Sequence, residues 1–153
     1  MQVSGRAGRG KVPGEVMVQT CTPEHPAIAA LATGDTPAFT RREMAERRDA
    51  DYPPYVRLIS LLVWGPDAAA VEADANALAD KARAVAEPLG VTVLGPAPRA
   101  MARVRGQHCW HLLLKGYDAV KVRAAAAAAL EWADAPGRRG AKVAADVDPI
   151  ETL

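Results

Sequence analysis

Residues 56–95 read VRLISLLVWGPDAAAVEADANALADKARAVAEPLGVTVLG, and this stretch decides the fold. It opens on a β-branched and leucine-rich run, Val56 to Trp64, closed by Gly65-Pro66. Such a run, bounded by turn residues, reads as a strand. Asp67 then stands where a helix N-cap is expected. Val71, Ala75, Leu78, Ala82, Val85 and Leu89 follow in steps of four and three, which places them on one face of a long helix. Gly90 stops it. VTVLG, ending at Gly95, is a second strand.

Working outward toward the C-terminus, PAPRAMARVRG (96–106) is expected to be a loop or irregular hairpin. QHCWHLLLK (107–115) is a third strand. Tyr117-Asp118 leads into an alanine-rich helix running to about Ala133, PGRRGA turns, and KVAADVD (142–148) is the last strand. Alanine is the best helix former, so the run at 124–129 needs no further cause. The order is β-α-β-β-α-β. It predicts an α+β, ferredoxin-like domain over residues 55–153, an antiparallel sheet with two helices on one face.

Working outward toward the N-terminus, DYPPY (51–55) is a stiff connection, because Pro53-Pro54 forbids a helix across it. Before it, Pro37–Asp49 reads as a helix with a weak apolar stripe, within a helical linker over 35–54. TPEHPAIAALATG (22–34) reads as a short helix with Thr22 as N-cap, Pro23 in the first position and Gly34 at the end. GEVMVQT (14–20) alternates and is expected to be a strand over Glu15–Thr20.

The chain has 153 residues, is half apolar and has a formal net charge of +1, so total charge names no partner. Its distribution says more. Pro96–Tyr117 holds Arg99, Arg103, Arg105 and Lys115 and no acid. A neutral chain with segregated charge can still present a basic face. Cys21 and Cys109 lie far apart with no C-x-x-C, so a zinc site has no support and a reduced, cytoplasmic setting is expected. The longest apolar run, around Val56–Trp64, is far too short to span a bilayer, and no membrane partner is expected.

Two places carry candidate chemistry. QVSGRAGRG (2–10) sets Gln2, Arg6 and Arg9 among Gly5 and Gly8. Arginine presents a planar fork of donors that matches phosphate oxygens, and glycines allow close backbone approach. A solvated basic turn is the plainer alternative. The second place is RAMARVRGQHCWH (99–111). Arg99, Arg103 and Arg105 precede a strand on which His108 and Trp110 share one face and Cys109 and His111 the other. Arginines with an aromatic ring are the parts of a single-strand platform, phosphates on the guanidinium groups and a base on the ring. Trp110 equally suits a core position, and loop arginines equally suit solvent. Arg138, Arg139 and Lys142 extend the patch or cap a solvated turn. Asp146 and Asp148 share a face of the last strand and suit pairing with nearby cations. His25 sits in a first helical turn, and His108 and His111 lie on opposite strand faces, a poor metal pair. No metal ligands are assigned, and no nucleophile–base pair stands out.

The opening QVSGRAGRG resembles motif VI, Q-x-x-G-R-x-G-R, of superfamily 2 helicases. KVPGEVMVQTCTPEHPAIAAL, RREMAERRDADYPPYVRL, VLGPAPRAMARVRGQHCWHLLLK and DVDPIETL resemble, in order, the C-terminal part of the PriA family of primosomal replication-restart helicases. The resemblance implies that residues 1–34 are the end of a helicase second motor lobe, with Arg9 as arginine finger, Arg6 as a second phosphate contact, and Gln2 and Gly5 at the nucleotide. It implies ATP and Mg as cofactors of the full-length family, and zinc in a cysteine-rich insertion whose ligands are not in this chain. It also implies a truncation, since no G-x-x-x-x-G-K-[ST] occurs. The isolated chain is therefore expected to hydrolyse no ATP. Implied partners are forked or single-stranded DNA, single-strand-binding protein and other primosome proteins, in the cytoplasm at the nucleoid. The other readings are a free-standing nucleic-acid- or protein-binding ferredoxin-like module and a purely structural interaction domain.

Overall fold

The computed structural model describes residues 16–104, 106–138 and 140–149. The chain divides at Asp49/Ala50 into two compact units.

In the first unit, α1 (Pro26–Thr33) and α2 (Thr36–Asp49) form a helical pair. Neither holds a buried residue. An apolar groove between them is lined by Ala27, Ile28, Leu31 and Phe39. The cap of α1 differs from expectation. Its N-cap is His25, whose Nδ1 accepts the Ala27 N–H at 3.3 Å, and Pro26 takes the first helical position. Thr22 instead donates its N–H to Thr20 Oγ1 at 3.1 Å, in the turn before the helix. Gly34 ends α1 in the left-handed region, as expected. On α2 the charges pair along one turn, Arg42 with Glu46 and Arg47 with Glu43, at 2.8 and 2.7 Å. The strand expected over Glu15–Thr20 does not form in its described part. Val16–Thr20 carry no ladder, and Met17 is 96% exposed. Alternation alone makes no strand when no neighbouring strand takes up the backbone hydrogen bonds.

The second unit has the expected architecture. Its elements are β1 (Arg57–Gly65), α3 (Ala68–Leu89), β2 (Thr92–Val104), β3 (Gln107–Gly116), α4 (Ala119–Ala133) and β4 (Lys142–Val147). The sheet order is β2-β3-β1-β4, with every neighbouring pair antiparallel. On β1 the helix-side residues Ile59, Leu61 and Val63 are buried and so are Leu58 and Ser60 on the other face, so its sequence reads as a nearly continuous apolar run rather than an alternation.

One face of the sheet meets the helices. Ile59, Leu61 and Val63 of β1 and Leu112 and Leu114 of β3 pack in one cluster with Val71, Ala75, Leu78, Ala79, Ala82 and Ala86 of α3. Val122, Ala125, Ala126 and Ala129 of α4 complete it. Alanine on both helices lets them lie close to the sheet and to each other. Gly116 shows how close, since a Cβ there would stand 2.9 Å from Val122. The buried stripe of α3 is turned slightly from the expected one. Ala79 and Ala86 are inside, while Val85 and Leu89 are half-buried on its flank. Asp67 and Asp118 cap α3 and α4, each accepting two backbone N–H bonds in the first turn.

Candidate nucleic-acid interface

Of the two forms expected for the basic stretch, a loop or an irregular hairpin, the structure has the second. β2 runs on through it to Val104 and makes a long hairpin with β3, with register shifts between Leu94 and Ala97 and between Pro98 and Arg103. Pro96 and Pro98 cannot donate to a ladder. β2 is an edge strand, where half of the N–H groups have no neighbour to serve, so prolines are tolerated.

The ladder separates residues that the sequence had grouped. Ala97 lies opposite His111 and Pro98 opposite Trp110, so Arg99 follows on the face of Cys109 and His111. Electrostatics agrees. Burial lowers the His111 pKa, and the Arg99 charge lowers it further. Burial raises the Cys109 thiol, and Arg99 opposes that rise. Trp110 lies on the other side, half-buried against the core beside the helices. Arg99 and Trp110 therefore do not share a surface. Arg103 stands opposite His108 in the ladder. Arg105, Gln2, Gly5, Arg6 and Arg9 lie outside the described residues, as does Arg139.

The face of the sheet turned away from the helices carries a different set. Trp64 of β1 alternates with the core residue Val63 and stands between Cys109 on β3 and Lys142 on β4. The next rung is Ala97, His111, Leu62 and Ala144. Further along, Leu113 pairs with Ser60, and Lys115 with Leu58. Burial falls along β1 from Leu58 (2%) and Ser60 (6%) to the half-buried Leu62 and Trp64. The Leu58 end is tied to the connecting segment. Lys115 Nζ donates to the Ala50 carbonyl at 3.1 Å, and the Tyr117 hydroxyl donates to the Asp51 carboxylate, a bond that raises the Tyr117 pKa. The open end thus gathers Arg99, His111, Trp64 and Lys142. Asp146 is on the same face, four residues along β4 from Lys142.

Sequence reasoning singled out Trp110 and passed over Trp64. The available signal was parity. Val63 and Leu61 belong to the core, so the even positions of β1 must face away from it.

Arg138 has a role inside the fold. Its guanidinium meets Asp74 of α3 at 2.8 Å and lies over the Trp132 ring, 4.4 Å from the centroid. Asp148 pairs with Arg57 at 3.9 Å. Among the described residues no group of three or more His, Cys, Asp and Glu side chains converges, and no helix is long and apolar enough to cross a membrane.

Comparison with known proteins places this geometry in a family. Several relatives carry the name replication restart protein PriA. One, from Synechocystis sp., is 41% identical over 121 residues, 79% of this chain and 14% of the relative. Another, from Treponema pallidum, is 37% identical over 153 residues, all of this chain and 23% of the relative. A third, from Bacillus subtilis, is 37% identical over 116 residues, 74% of this chain and 14% of the relative. The chain thus spans less than a quarter of each. Residues 48–150 match the family described as primosomal protein N C-terminal domain, and this range coincides with the sheet-and-helix unit beginning at Ala50. The second unit, with its hairpin and open sheet face, is that domain, and the chain belongs to the primosomal protein N C-terminal domain family.

Proposed function

We propose that this chain is the C-terminal part of an ATP-dependent 3′-to-5′ DNA helicase that binds forked DNA and starts primosome assembly for replication restart in the cytoplasm. The observation that carries the reading is the family match over residues 48–150, joined to relatives whose name states replication restart. The hairpin supports the DNA-binding part. Pro96–Tyr117 has basic residues and no acid, with Arg99 on the accessible side of the sheet and Arg103 further along β2. Phosphates supply most of the affinity of such a surface and make it salt-dependent.

In the same reading, Arg9 acts as an arginine finger toward the γ-phosphate of an ATP held with Mg by the rest of the motor. Arg6, Gly5 and Gln2 stand beside it. Single-strand-binding protein and other primosome proteins are the protein partners. The chain alone hydrolyses no ATP, having no phosphate-binding P-loop sequence of its own. The test is binding of fluorescent forked DNA to the purified chain at several salt concentrations, with ATPase measured in parallel. Expected are fork binding with a steep salt dependence and no DNA-stimulated hydrolysis. Salt-independent binding, or hydrolysis by the chain alone, refutes this account.

A second reading has its own observation. The unit from Ala50 onward has a core of its own, which favours a ferredoxin-like binding module able to act alone. The same experiment separates the two when repeated on the complete motor protein. Unchanged fork affinity in the presence and absence of nucleotide favours the independent module.

A further inference from the structure

We propose that the open end of the sheet binds a short run of single-stranded DNA, with a base stacked on Trp64 and phosphates held by Arg99 and Lys142. This rests on the DNA-binding reading above and names the surface and the form of DNA.

The placement follows from the ladder. Trp64 is on the central strand, with Lys142 directly beside it on β4. Arg99 is on the far edge strand β2, on the same face. Strand spacing puts the backbones of Lys142 and Arg99, on the two edge strands, about 14 Å apart, with Trp64 on a strand between them. Trp64 is half-buried and, unlike Trp110 and Trp132, is not among the residues packed on the core. His111 adds a third polar group on this face. An aromatic ring between two cations complements a chain of bases and phosphates, since every base has a π-face and every linkage a charge. A ring stacks on a base face only when the base is unpaired, so the occupant is single-stranded rather than duplex. The end near Leu58, tied to Ala50 through Lys115, leaves the Trp64 end as the place of contact.

The experiment measures anisotropy of fluorescein-labelled oligo-dT, of a duplex of equal length and of oligo-U with the whole chain, wild type and variants. Trp64→Ala is expected to weaken oligo-dT binding about fivefold to a hundredfold while keeping the salt slope. Trp64→Phe is expected to retain most of the affinity, and Arg99→Ala to lower the salt slope by about one. Photocrosslinking of wild-type chain to 5-iododeoxyuridine DNA is expected to label Trp64, a readout that needs no substitution. If wild type binds oligo-dT but both Trp64 variants bind alike and the crosslink falls elsewhere, this face is wrong while the DNA-binding reading stands. If wild type binds no DNA, that reading fails and takes this one with it. Tighter binding of oligo-U with the same Trp64 dependence makes the occupant RNA and overturns the proposal as well.

Discussion

Replacing Asp74 by alanine tests how the last strand is fastened to the helices. Asp74 lies on α3 and does two things. One carboxylate oxygen accepts the backbone N–H of Ala141, just before β4, and the other meets Arg138 at 2.8 Å. Asp74 and Arg138 are only 22% and 16% exposed, so solvent screens them poorly. The guanidinium is close to the carboxylate without being aligned for a good hydrogen bond, so the attraction is mainly coulombic. At an effective dielectric of 20, that distance gives roughly 6 kcal/mol before desolvation. Desolvation of the two ions cancels most of this. The charge-assisted bond to Ala141 is worth about 1.5–3 kcal/mol, and its loss leaves a buried N–H unpaired. The net cost of Asp74→Ala is therefore about 3 kcal/mol, which for a unit of this size lowers the melting temperature by about 10–20 °C.

Asp74→Asn keeps an acceptor for Ala141 and loses only the charge, so its cost is expected to be about 1 kcal/mol. Arg138→Ala removes the pair and the stacking on Trp132, and the double variant closes a thermodynamic cycle. Urea unfolding gives the energies, and hydrogen exchange at the Ala141 amide gives the local effect. A change below about 0.5 kcal/mol for Asp74→Ala, with unchanged exchange at Ala141, refutes the reasoning, because surface substitutions alone produce that much.

Three further outcomes are expected. Leu61→Ala empties a fully buried site between the sheet and the helices and costs about 2–5 kcal/mol by urea unfolding. Gly95 has φ +93°, and a Cβ there would stand 3.0 Å from the His111 carbonyl, so Gly95→Ala costs about 1–3 kcal/mol in the same assay. The folded state holds His111 neutral to lower pH than the unfolded chain, whose imidazole titrates near 6.5. As pH falls below that value the unfolded state takes the proton first, so stability declines on the acid side and is unaffected above about pH 7.5. His111→Gln is expected to flatten the decline in urea midpoint between about pH 7 and pH 5, and Arg99→Ala to raise the His111 pKa seen by NMR.

How much of this was legible in the sequence differs by element, for physical reasons. The order β-α-β-β-α-β was readable because each boundary carries local chemistry: Asp67 and Asp118 as caps, Gly90 as a left-handed stop, Gly65-Pro66 as a turn. Those signals act within four residues and need no knowledge of the rest of the chain. The cap of α1 failed within that same range. In TPEHP two prolines compete for the first helical position, and an imidazole nitrogen supplied the acceptor that a threonine hydroxyl was expected to give. The N-terminal strand failed because pairing is not a local property. Val16–Thr20 have the right alternation, but a strand exists only against a partner.

Which residues of the candidate site share a surface turns on one property, which is parity. Period two divides β3 into two sets, and the sequence did place His108 with Trp110 and Cys109 with His111. What it could not fix was which set faces the helices. That depends on β1, where nearly every residue is apolar and period two is hidden. Only the pairing of Leu61 with Leu112 and of Val63 with Trp110 assigns the faces, and it puts Trp110 against the core. The same pairing puts Trp64 outward beside Lys142, and the register of β2, after the shift between Leu94 and Ala97, brings Arg99 to that side. The expected platform joined the arginines to Trp110, whereas the register puts Trp110 against the core and Trp64 on the face of Arg99. Because one residue of slip exchanges the two faces of a strand, the identity of the stacking ring is a direct measure of the register. On the single-strand surface proposed above, bound DNA is expected to quench Trp64 fluorescence and to leave Trp110 unaffected.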